Sequence, residues 1–146
     1  MAPRSTSFRI SEAAKRRLAA RAERDGMSAT TLLERLITEA IDALDHPGVI
    51  HRGPPHDRRA ALAAGPDIWE VVARLRDLSG SEEQRIAALA EETDLHPRQI
   101  RIAIGYAAEH AEEVQARIDA TRSRLRPAGE LPSSAPRCWR EPVPAR

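Results

Sequence analysis

Residues 5–10 alternate, with Thr6, Phe8 and Ile10 on one face and Ser5, Ser7 and Arg9 on the other. A period of two predicts a half-buried strand. Ala14, Leu18 and Ala22 then recur at helical spacing and predict a helix running to about Arg24. Ser11 suits its N-cap and Glu12 its first turn. Asp25-Gly26 ends it, because glycine accepts the left-handed conformation of a helix stop. Ser28 caps a second helix whose apolar positions are Leu32, Leu33, Leu36, Ile37, Ala40, Ile41 and Leu44. That stripe is wider than one small helix needs, and the excess predicts a partner surface, most simply a second copy of the chain.

His46-Pro47-Gly48 breaks the pattern, and Val49-Ile50 can add a short extended piece before Gly53-Pro54-Pro55. Residues 46–66 therefore read as a linker. Three helices are expected beyond it. Asp67 caps one carrying Ile68, Val71, Val72, Leu75 and Leu78. Ser81-Glu82-Glu83-Gln84 is a capping box that opens the next, with Ile86, Leu89 and Ala90. After the turn at Asp94-Leu95-His96, Pro97 suits the first position of a third, with Ile100, Ile104 and Ala107. Its pattern continues through Val114 and Ile118 to about Leu125, with room for a break at Glu109-His110. Residues 127–146 hold Pro127, Pro132, Pro136, Pro142 and Pro144 and read as a disordered tail.

Composition narrows this to a mainly helical chain. Four aromatic residues among 146 leave Ala, Leu and Ile to form the core, which favours close helix packing. No apolar run approaches the length of a membrane helix, no hydrophobic segment follows Met1-Ala2-Pro3-Arg4, and Cys138 is the lone cysteine. A cytoplasmic location without membrane association is the expectation. Net charge is +1, but residues 1–25 carry seven positive and three negative groups, whereas residues 80–126 carry seven and nine. A basic head on a mildly acidic body points to a polyanionic partner for the head.

Residues 1–45 supply only one strand and two helices, too little apolar surface to fold alone. Two copies that pair their strands and interlock their helices would solve this, with Phe8, Ile10, Leu18, Leu32, Leu36, Ile37 and Ile41 as the dimer core. Ser5, Ser7 and Arg9 would then face outward on a two-stranded ribbon, which fits the major groove of DNA. Arg9 can make a two-point contact to guanine, and Ser5 and Ser7 are small donors of low selectivity. The start of the second helix, with Ser28 and Thr30, is a natural phosphate clamp. Lys15, Arg16 and Arg17 can add backbone contacts that position without reading sequence.

The series Ser7-Phe8-Arg9-Ile10-Ser11, helix, Gly26-Met27-Ser28, helix resembles the ribbon-helix-helix family of DNA-binding proteins, the MetJ, Arc and CopG type. A second series is His46-Pro47-Gly48-Val49-Ile50, Arg58-Arg59-Ala60-Ala61-Leu62, Gly65-Pro66-Asp67-Ile68-Trp69-Glu70-Val71, Pro97-Arg98-Gln99-Ile100 and Ala103-Ile104-Gly105-Tyr106-Ala107. It is similar to the small helical domain of VapB-like antitoxins. The resemblance implies a homodimer, or a higher assembly, that binds double-stranded operator DNA and represses its own operon. It also implies that residues 67–126 neutralise a PIN-like nuclease toxin.

Residues 82–107 also read as helix-turn-helix-like, with Arg98, Gln99 and Arg101 near the second helix start. Glu82, Glu83, Glu91, Glu92 and Asp94 beside them would repel phosphates, which favours a structural or protein-binding role. Trp69, Arg98 and Arg101 are thus the candidate partner contacts, although a tryptophan at helical spacing also serves as a core anchor. The alternative role is a stand-alone repressor whose second domain mediates oligomerisation or effector sensing, and a third is an adaptor without a DNA role. No enzyme is expected. His46, His51 and His56 cross Pro/Gly-rich chain with no cysteine or paired carboxylate nearby, so neither a metal nor a cofactor is anticipated. The seven glycines form no phosphate-cradling loop.

Overall fold

The computed structural model describes residues 4–125. The expected Pro-rich tail and Cys138 lie outside the described residues. Six helices and one antiparallel pair of strands make up the described chain, so it is mainly helical as composition predicts.

Helix α1 spans Glu12–Asp25 and α2 spans Ala29–Asp45. Their punctuation is as the side chains dictate. Ser11 Oγ accepts from the Ala14 amide at 3.2 Å, and Ser28 Oγ accepts from that of Thr31 at 3.1 Å. Gly26 ends α1 at φ +67°, where an L side chain would be strained. Residues 4–10 have no regular secondary structure in the single chain. The strand that the alternation predicts over residues 5–10 is therefore not formed in the single chain, where no other described strand lies beside it.

The expected linker is instead a hairpin. Strand β1 (Val49–Arg52) pairs antiparallel with β2 (Arg59–Leu62), in the register Val49 opposite Leu62 and Arg52 opposite Arg59. Gly53 opens the connection at φ +107°, and a Cβ there would stand 2.3 Å from the Asp57 carbonyl oxygen, so only glycine fits. The expectation that residues 46–66 are an unstructured linker is corrected, whereas the described residues from Ile68 to Leu125 hold helices and no strand. Val49 and Leu62 bury their side chains in the same core as the helices, so the segment packs rather than spaces.

Four helices complete the body: α3 (Ile68–Asp77), α4 (Glu82–Glu92), α5 (Pro97–Glu109) and α6 (Ala111–Leu125). Ser81 and Gln84 form the capping box expected at α4, and the break at Glu109-His110 is present. Ile68, Ile86, Leu89, Ile100, Tyr106 and Ile118 are fully buried where these helices and the hairpin meet. The head contributes far less, since Ala22 and Leu32 are the buried apolar side chains of α1 and α2. No described helix is long and apolar enough to cross a membrane.

Candidate functional site

Helix α2 presents two opposite stripes. Arg35, Glu39, Asp42 and His46 recur at intervals of four, three and four, so they share one face. That face is fastened to the rest of its own chain. Arg35 reaches Asp25 of α1 at 3.0 Å. Glu39 accepts two hydrogen bonds from Arg58, Nε to Oε1 at 2.8 Å and Nη2 to Oε2 at 2.7 Å. The same guanidinium donates to the carbonyls of Gly53 at 2.8 Å and His51 at 3.0 Å, which locks the hairpin loop under α2. Asp42, buried, lies 3.4 Å from His51 Nε2 and 3.5 Å from His110 Nε2. His46 Nε2 meets Glu109 at 3.0 Å.

The opposite face of α2 is apolar and open. Leu36, Ile37, Ile41 and Leu44 are all exposed, Ile41 at 50 %, and Phe8 in the N-terminal segment reaches 78 %. Beside them runs a groove of about 700 Å3 between the N-terminal segment, α1 and α2, lined by Ile10, Ala14, Leu18, Leu32, Leu33 and Leu36, with Arg17, Arg21 and Arg24 completing its wall. Soluble chains seldom leave a contiguous apolar surface of this kind uncovered. Of the expected dimer-core residues, Leu32 is buried within the single chain, Leu18 is half-buried, and Phe8, Ile10, Leu36, Ile37 and Ile41 are exposed.

Among the expected DNA contacts, Ser5, Ser7, Arg9, Arg16, Arg17 and Thr30 are exposed. Lys15 is paired with Glu12 at 3.0 Å on the surface, a pair of the kind that contributes little to stability. The Ser28 hydroxyl is occupied by its own helix cap and by Thr31 Oγ1 at 2.8 Å.

In the body, the helix-turn-helix-like residues differ in their surroundings. Arg101 pairs with Glu83 at 2.8 Å, and Gln99 accepts from the His96 amide while donating to the Ala64 carbonyl. Arg98 is exposed. Trp69 is half-buried against the core and donates its indole N–H to Asp67 at 3.3 Å, the anchor arrangement rather than that of an open contact.

Two polar assemblies have no counterpart in the local sequence pattern. Burial pushes the Asp67 carboxyl up, but Arg52 (2.7 Å) and Arg59 (2.7 Å) hold it below the usual carboxylate range. The second surrounds Tyr106, whose ring stacks on His110 with centroids 4.1 Å apart at 14°. Burial first, then the Glu113 carboxylate, raises the Tyr106 phenol far above its ordinary pKa. Local pattern hides this group because His46 and His51 precede their partners Glu109 and Tyr106 by more than fifty residues.

No known protein family, curated protein or solved structure matches the chain.

Proposed function

We propose that two copies of this chain pair through the N-terminal segment, α1 and α2 into a ribbon-helix-helix that binds double-stranded DNA. The observation that carries this is the division of α2. Its polar stripe is tied to partners within the chain through Arg35–Asp25, Glu39–Arg58, Asp42–His51 and His46–Glu109, while Leu36, Ile37, Ile41 and Leu44 stay open beside an apolar groove. A second copy offers the same stripe, so a twofold pairing covers both at once. The pairing brings two N-terminal segments together, and their alternation then puts Ser5, Ser7 and Arg9 on the outward face of the ribbon. Arg16 and Arg17 flank that ribbon as phosphate contacts.

In this reading the chain is a VapB-like antitoxin that represses its own operon, while the helical body holds a PIN-like nuclease. The resemblance of residues 46–120 supports this role. The test is co-expression with the product of the adjacent gene, followed by purification through the neighbour. Recovery of a complex that also retards the shared upstream DNA is expected. Recovery of the folded neighbour alone would sink the antitoxin role and leave the stand-alone repressor. One observation favours that second reading: Glu39 and Asp42 tie the body to the very helix that would form the dimer, so a change in the body reaches the DNA-binding head.

A further inference from the structure

The chain brings two imidazoles and a carboxylate together where its head meets its body. His46 caps the C-terminus of α2, Glu109 is the last residue of α5, and His110 is the junction before α6. The ligating atoms of His46, Glu109 and His110 all lie within 4.8 Å of one another, and His46 Nε2 is already 3.0 Å from Glu109 Oε2. We propose that these three side chains bind a single zinc ion, with water completing a four-coordinate site. This inference stands independently of DNA binding.

The donor set fits that ion. Two imidazoles and one carboxylate are a recognised three-ligand zinc set, with metal–ligand distances of about 2.0–2.2 Å. Tetrahedral donors at that range stand roughly 3.4 Å apart, so the widest pair must close by up to about 1.4 Å, while His46 Nε2 and Glu109 Oε2, now 3.0 Å apart, open by about 0.4 Å. The surroundings also fit. Metal-bound imidazoles are commonly oriented by a carboxylate on the other ring nitrogen: with His110 Nδ1, now 3.9 Å from Glu113 Oε2, turned to the ion, its Nε2 faces Asp42 Oδ1 at 3.5 Å. Asp42 is in turn fixed by His51 at 3.4 Å, a buried imidazole whose Nδ1 has no hydrogen-bond partner among the described residues. Tyr106 forms a wall, stacked on His110 and edge-on to His46 at 5.3 Å. The Glu109 side chain is 66 % exposed, which leaves an open path for the ion and its water.

The consequence is mechanical. Glu109 and His110 are adjacent in sequence, but His46 lies on the far side of the hairpin. A bound ion would therefore staple the end of α2 to the α5–α6 junction, beside the hydrogen bonds that already join head and body.

The test is titration of the full-length, tag-free chain with zinc chloride, in a Cys138→Ser background so that the thiol contributes nothing. One zinc per chain is expected, with affinity weakened roughly 10-fold or more in Glu109→Gln and in His46→Ala. His56→Ala, on the exposed hairpin loop, should bind as the parent does. Cobalt substituted for zinc should give the intense visible bands of a tetrahedral site. Glu109→Gln changes an exposed side chain and remains decisive if His46→Ala fails to fold. Absence of stoichiometric binding, or binding that Glu109→Gln leaves unchanged, would overturn the proposal.

Discussion

Glu39 and Arg58 form a two-point ion pair, at 2.8 and 2.7 Å, between the middle of α2 and the loop residue just before the hairpin's second strand. They lie nineteen positions apart in the chain. Arg58 also donates to the carbonyls of His51 on the opposite strand and of Gly53 in the loop, so a single guanidinium closes the hairpin and fastens the head to it. Arg58→Ala would leave the Glu39 carboxylate and both carbonyls without their donor. A stability loss of about 1–3 kcal/mol is expected in urea unfolding. Arg58→Lys should recover only part of it, because an ammonium cannot reproduce the two-point geometry. A loss indistinguishable from zero would remove this joint from the account.

The exposed stripe of α2 should govern self-association without governing the fold. Ile41→Glu introduces a charge at a position half exposed in the single chain, so helix content should be unchanged by circular dichroism. In a symmetric dimer the loss counts twice, at about 1.5–3 kcal/mol per buried side chain. Light scattering should then report a dimer for the parent and a monomer for the variant. A parent that is monomeric at micromolar concentration would contradict the paired head.

Acid should loosen the joint in a defined direction. The Arg58 hydrogen bonds hold the Glu39 carboxyl below its ordinary range, and Arg52 with Arg59 do the same for Asp67 against the opposing effect of burial. A folded-state pKa below the unfolded one means that the unfolded chain binds more protons in acid. The stabilisation is therefore complete above the unfolded carboxylate values, about 4, and fades as pH falls through the lower folded values. The urea midpoint should drop between roughly pH 4 and 2, with a shallower drop in Glu39→Gln. A midpoint that rises in acid would contradict it.

Much of the fold can be read along the chain because its signals are local. The caps at Ser11, Ser28 and Ser81, the stop at Gly26 and the Pro97 start each depend on neighbours within four residues, and the structure has each in that place. The hairpin escapes such a reading because β2 is Arg-Ala-Ala-Leu, without a β-branched or aromatic residue, and is held by burial and register instead. The polar joint escapes for another reason. Glu39, Asp42 and His46 look like the solvated side of an amphipathic helix, and their partners Arg58, His51, His110 and Glu109 arrive only through the fold. The open apolar stripe, by contrast, is visible in both, since its width in sequence exceeds what the single chain covers.

Opposite stripes on one helix make the paired, DNA-binding head the central claim, and Arg9 is its one long reader on each ribbon strand. The most direct measurement is fluorescence anisotropy of double-stranded DNA from upstream of the chain's own coding sequence. It is titrated with the parent, Arg9→Ala and Ile41→Glu at two salt concentrations. Parent binding should weaken steeply with salt, Arg9→Ala should lose about 1–3 kcal/mol per contact, and Ile41→Glu should lose binding together with dimerisation. Equal binding by the parent and Arg9→Ala, or no binding by any form, would contradict the account.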